Sequence, residues 1–161
     1  NDPTLEVLMH MIDENVVEKF TSSLASEASS FAFSSGSDAI FPGFTPSEQV
    51  FDPAGYSLTA GKGEEYYALH VTPEAAGSYV SFETNYDFRG HLSGLVGSIV
   101  ELFRPRAFDV VTFVPEVEPE LTVTGYELAD HIVHGLGGYR VSYFQYFAPP
   151  SGSRPARELE L

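Results

Sequence analysis

The stretch from Tyr67 to Thr84, YALHVTPEAAGSYVSFET, places one histidine and two glutamates among residues suited to burial. An imidazole can carry a proton near neutral pH, and a carboxylate can hold hydroxyl groups or a cation. His70, Glu74 and Glu83 are therefore candidates for chemistry. Strand alternation groups His70 with Tyr66, Ala68 and Thr72, and turns Tyr67, Leu69 and Val71 the other way. Each residue also has a plain structural alternative: a hydrogen-bonded strand histidine at His70, a solvated turn carboxylate at Glu74 after Pro73, and a cross-strand pair at Glu83. Near the start of the chain, Asp2 and Glu6 are spaced i and i+4, which on a helix puts two carboxylates on one face. If Glu83 lies beside them, three carboxylates converge, and burial then requires protonation or a cation.

Other patterns point away from common chemistries. His131 and His134 are three apart, with His10 and His91 elsewhere, but no HExxH or matching carboxylate accompanies them, so no metal site is expected. The glycines of Gly135 to Gly138 precede neither a helix nor a lysine, and imply a turn rather than a phosphate cradle. There is no Gly-x-Ser-x-Gly elbow. The chain has no cysteine, which excludes disulfides and thiolate ligands. Its formal net charge of −15 opposes phosphate backbones and anionic membranes, so neither nucleic acid nor a membrane is expected as partner, and cations fit better. No apolar run approaches the roughly 20 residues needed to cross a bilayer. A soluble, cytoplasmic protein is expected, and a chain that begins at Asn1 is expected to be part of a longer product.

The elements that must position these residues follow from periodicity. Leu5, Leu8, Met9, Ile12, Val16 and Phe20 fall at helical spacing and predict an amphipathic helix from Asp2, as N-cap, to Phe20. Thr21 to Asp38, rich in serine and alanine, is expected to connect. Strands are predicted over Gln49 to Leu58, Tyr66 to Thr72 and Ser78 to Thr84, with turns at Thr59 to Glu65 and Pro73 to Gly77, as a meander. Leu92, Leu95, Val96, Ile99 and Phe103 predict a second helix ending at Arg104-Pro105. Ala107 to Val114 and Tyr139 to Phe147 predict further strands. The expected fold class is α+β, an antiparallel β-sheet with helices on one face, as a single domain over residues 1–150 with a flexible tail over 151–161. In YRVSYFQYF, Tyr139, Val141, Tyr143, Gln145 and Phe147 share one face, and Arg140, Ser142, Phe144 and Tyr146 the other. Both faces carry aromatics, so a second sheet is expected to cover the one the helices leave bare.

Four segments in order, FDPAGYS at Phe51 to Ser57, HVTPE at His70 to Glu74, SYVSFET at Ser78 to Thr84 and VELFRPRAFDVVTFV at Val100 to Val114, resemble the C-terminal half of the eukaryotic type of S-adenosylmethionine decarboxylase, a pyruvoyl enzyme of spermidine and spermine synthesis. DPTLEVL at Asp2 to Leu8 and SGSDAIFPG at Ser35 to Gly43 extend the resemblance. It implies one half of a four-layer α/β/β/α sandwich, with the active site where the halves meet. It implies that Phe51 stacks on the substrate's adenine, that Glu74 holds the ribose hydroxyls, and that Ser57 and His70 serve the autocatalytic cleavage that creates the pyruvoyl group. It further implies that Asp2, Thr4, Glu6 and Glu83 belong to an acidic site that binds putrescine in some members.

The family's pyruvoyl-forming serine, its product-protonating cysteine and its second adenine-stacking aromatic have no matching position here. Glu27-Ala28-Ser29-Ser30-Phe31 only superficially resembles the cleavage sequence, and Ala54 stands where some members have a cysteine. The resemblance thus implies a pyruvoyl group from a serine outside this chain, S-adenosylmethionine as substrate, and an N-terminal half as partner. The alternative is a non-catalytic regulatory homologue that binds and activates a catalytic decarboxylase chain; a polyamine-binding module is a third reading. Homodimers occur among the assemblies the resemblance implies.

Overall fold

The computed structural model describes residues 3–20, 36–52, 54–115 and 119–150, with the backbone alone at 37 and 38. Strands β1 (Thr4–His10), β2 (Thr45–Val50), β3 (Tyr56–Lys62), β4 (Glu65–Thr72), β5 (Tyr79–Thr84), β6 (Ala107–Pro115), β7 (Glu127–Leu136) and β8 (Tyr139–Phe147) form one sheet in the order β2-β3-β4-β5-β1-β6-β8-β7. Every neighbouring pair is antiparallel. The expected meander is present as β2 to β5. Helix α3 (Leu92–Phe103) buries Leu92, Leu95, Val96, Ile99, Val100 and Phe103, and lies over β1. It stops where Arg104 turns left-handed and donates its N–H to the Val100 carbonyl at 2.8 Å, with Pro105 unable to extend it.

The predicted helix from Asp2 to Phe20 is not formed. Leu5, Val7 and Met9 are fully buried in β1 while Thr4, Glu6, Leu8 and His10 are half-buried on the opposite face, a period of two. Leu8 is apolar on the second face, and this is what imitates helical spacing. A short helix α1 (Glu14–Val17), capped by the Asp13 carboxylate, and a 3-10 turn (Glu18–Phe20) follow. Asp2 lies outside the described residues, so the proposed N-cap and the Asp2 and Glu6 helical pair are replaced by a strand position for Glu6. The connecting segment is outside them over 21–35, and its end enters helix α2 (Ser37–Ile40). The tail over 151–161 is outside them too.

The expected strand Gln49 to Leu58 is broken into β2 and β3 around Phe51 to Gly55. Gly55 has φ +142, and a Cβ there would meet the Phe51 Cβ at 3.4 Å and the Val71 carbonyl oxygen at 3.7 Å. The turn expected over Thr59 to Glu65 shrinks to Gly63-Glu64, because β3 runs on to Lys62 opposite Glu65. The sheet edge β7 was not anticipated; its side chains are nearly all exposed and show no buried alternation.

The core lies between one sheet face and the helices. There Phe41 stacks on Tyr67 at 4.4 Å between ring centroids, and Phe108 on Tyr146 at 5.1 Å. The other face carries Leu8, Val111, Phe113, Val141 and Tyr143 half-buried, with no element over it among the described residues. This is the α+β architecture expected from the sequence, an antiparallel sheet with helices on one face.

Candidate functional site

The β3 and β4 hairpin pairs Ser57 with His70, both on the open face. The Ser57 Oγ lies 3.0 Å from the His70 Nδ1, and the hydroxyl donates to that nitrogen whenever the proton sits on Nε2. His70 is exposed, so its imidazole is accessible from the uncovered side.

Phe51 and Glu74 leave the sheet at the same end. Val50 pairs with Tyr56, Tyr56 with Val71, and Thr72 with Tyr79, which aligns the end of β2 with the end of β4. The Phe51 N–H donates to the Gly55 carbonyl at 3.0 Å, fixing the loop, while the residue remains 43% exposed, unusual for an aromatic with a sheet beside it. The Glu74 peptide is bracketed by Ser78, whose Oγ accepts from the Glu74 N–H at 3.1 Å and donates to its carbonyl at 3.3 Å. Its carboxylate is left exposed. The fold thus gathers Phe51, Ser57, His70 and Glu74 at one corner.

The acidic residues form a second group on the same face. Glu6 and Glu83 are direct cross-strand partners on β1 and β5, and Thr4 is two residues from Glu6 on that side. The Tyr66 hydroxyl donates to the Glu83 carboxylate. This bond, with burial and the charges of Glu83 and Glu6, pushes the Tyr66 phenol up to about 12. Tyr79 is raised by burial and then by Glu6, with Asp109 adding and Ser81 opposing. Two carboxylates directly opposite each other are repulsive in a sheet, and a phenol that donates to one relieves part of that.

Sequence reasoning missed a neighbouring network on this face. Asp109 accepts from the Tyr143 hydroxyl at 2.8 Å and from the Gln145 amide at 3.3 Å, and lies 3.5 Å from the His10 Nε2. A charged residue inside the strand AFDVVTFV was the available signal. Burial and then the Asp109 bond push Tyr143 up to about 12. A phenol whose folded value exceeds its ordinary 10.0 keeps its proton in the folded state after the unfolded chain has lost it. Its contribution is complete below pH 10 and is lost as pH rises through about 12. Phenolate absorbance is therefore expected to resolve tyrosines ionising near pH 12. Tyr66→Phe removes one of them, and a titration in which all ionise near pH 10 would contradict these contacts.

Among the described residues, no group of three or more His, Asp or Glu is arranged to hold a metal ion, and no helix is long and apolar enough to cross a membrane. His131 stacks on Phe144 at 4.1 Å.

The described residues thus form an α+β protein, a sheet with helices on one side that carries a serine-histidine pair and an acidic patch on its bare side. The family model described as adenosylmethionine decarboxylase matches residues 1–147, and the chain belongs to that family. It is 31% identical over 154 residues to the S-adenosylmethionine decarboxylase proenzyme of Dictyostelium discoideum, covering 90% of this chain and 40% of the proenzyme. With that of Caenorhabditis elegans it is 34% identical over 148 residues, covering 90% and 39%. The chain therefore spans about two-fifths of these relatives' length, matching their C-terminal half. A crystal structure of Trypanosoma brucei AdoMetDC has the same fold, with a TM-score of 0.76 at 21% identity over 92% of this chain and 66% of that one.

Proposed function

We propose that this chain forms one wall of an S-adenosylmethionine decarboxylase site, where S-adenosylmethionine loses CO2 to give the decarboxylated sulfonium used in polyamine synthesis. The observation that carries this is the 3.0 Å contact between Ser57 and His70 on the open face, at the corner shared with Phe51 and Glu74. The half-buried apolar residues of that face suit a covering sheet from an N-terminal portion. Residues 1–150 act as one domain in this arrangement, in a cytoplasmic enzyme.

A pyruvoyl group, derived from a serine outside this chain, supplies the electron sink that loss of CO2 requires. A hydroxyl already bonded to an imidazole fits a place beside such a group, since it offers a proton carrier rather than a competing ligand set. His70 holds or withdraws the proton at the Ser57 Oγ, first during self-processing. Phe51 offers its exposed ring to the adenine. Glu74 accepts from the ribose hydroxyls in charge-assisted bonds. Asp2, Thr4, Glu6 and Glu83 form a site for putrescine, whose two ammonium groups would neutralise the facing carboxylates.

The test uses this chain assembled with an N-terminal portion from the family. Glu74→Gln is expected to raise KM about 10- to 100-fold, the value of one or two charge-assisted bonds, with kcat changed far less. An unchanged KM would remove Glu74 from the substrate site. The bare apolar face also supports a regulatory reading, in which it docks on a self-sufficient decarboxylase. Stimulation of such an enzyme, without CO2 release by any assembled pair, would favour that reading.

A further inference from the structure

We propose that Met11 is a positioning residue for Glu74: its side chain steadies the turn that presents the Glu74 carboxylate, a role that rests on the reading of Glu74 as the ribose-binding group. Met11 follows β1 directly and has φ +53, a left-handed conformation that is costly for any residue with a side chain. It contributes little to the core in return, being 47% exposed. A strained residue that the core does not need points to a role outside the core.

The turn that carries Glu74 has little packing of its own. Ala75, Ala76 and Gly77 are all exposed, and only Ser78 at its end is buried. It is closed by the Gly77 N–H, which donates to the Glu74 carbonyl at 3.4 Å, and by the Ser78 hydroxyl, which donates to the same carbonyl at 3.3 Å. A shift of Gly77 therefore moves the Glu74 peptide. Gly77, at φ +143, has no side chain to hold it, and a Cβ placed there would meet the Met11 Cγ at 3.9 Å. The unbranched, adaptable Met11 side chain thus fills the space over the glycine.

The Met11 backbone is anchored from the opposite direction. The Arg106 N–H, just before β6, donates to the His10 and Met11 carbonyls at 3.1 and 3.2 Å, and the Arg106 carbonyl accepts from the Ala148 N–H at 2.8 Å. Ile12, the next residue, is buried in the core. Between these two constraints the left-handed φ is what aims the Met11 side chain at Gly77. The strain at Met11 is thereby tied to the place of the Glu74 turn, through one side chain and one main-chain bond.

The test again uses this chain assembled with an N-terminal portion from the family. Met11→Gly removes the side chain and relieves the left-handed strain. It is expected to leave the fold at least as stable in thermal unfolding, yet to raise KM for S-adenosylmethionine about fivefold with kcat little changed. A merely structural role would not set stability and KM apart in this way. Met11→Leu, of similar volume, should return KM to the parent value. Added to Glu74→Gln, Met11→Gly should raise KM no further, because it acts through Glu74. An unchanged KM for Met11→Gly beside a raised KM for Glu74→Gln, or losses that multiply in the double variant, would overturn the proposal and leave the reading of Glu74 standing. An unchanged KM for Glu74→Gln would overturn both.

Discussion

His70→Ala lowers CO2 release by the assembled enzyme about 10²- to 10⁴-fold, the range that one positioned acid-base group contributes. The expectation follows from the site's construction. His70 is exposed and makes its contact with Ser57 on the open side, so its removal leaves the core as it is. Thermal midpoints of the variant and parent chains should therefore agree closely, while processing and turnover fall. Ser57→Ala breaks the same contact from the other partner. The two substitutions together should cost little more than either alone, because groups acting as a unit lose their joint effect once. Stepwise pre-steady-state measurement of cleavage and of CO2 release separates the two stages. Additive losses would mean that Ser57 and His70 act independently.

Phe108→Ala is expected to destabilise the fold by about 3–5 kcal/mol in urea unfolding, near the upper range for a truncated core aromatic. Phe108 is fully buried in β6, stacked on Tyr146 at 5.1 Å with an 11° interplanar angle. Its other side meets Tyr126 edge-on at 4.9 Å. Tyr126 and Tyr146 have their hydroxyls tied to the carbonyls of Pro105 and Leu121, so neither ring is free to fill the space. A cost under about 1 kcal/mol would show that the site collapses around the change and that these hydroxyls do not fix the rings.

The two large effects separate what the sequence could and could not reveal. Alternation in YYALHVT and YRVSYFQYF assigned faces correctly, since in each strand the buried residues fall on one side. Helix α3 was legible for the same reason, a single buried stripe closed by Arg104-Pro105. Strand β1 failed because it lies mid-sheet with Leu8 on the bare face, so that apolar residues at two periods overlap. Strand β7 failed because it buries almost nothing; its strand state comes from the β8 ladder and not from its own pattern. At the site, His70 stood out by residue type. Its pairing with Ser57 required the register set by the Gly63-Glu64 turn, which the longer turn predicted over Thr59 to Glu65 had hidden. The facing of Glu6 and Glu83 was invisible for as long as Glu6 was placed on a helix.

On the proposed reading, a second sheet over this side would account for its combination of apolar residues with titratable ones. A surface covered by a second sheet needs the former, and a cleft between the sheets needs the latter. The measurement that bears most directly on this account is release of labelled CO2 from carboxyl-labelled S-adenosylmethionine by this chain alone, by an N-terminal portion alone, and by the two combined. Release only by the combination is the predicted result. Release by this chain alone, or none from a correctly assembled pair, would contradict it.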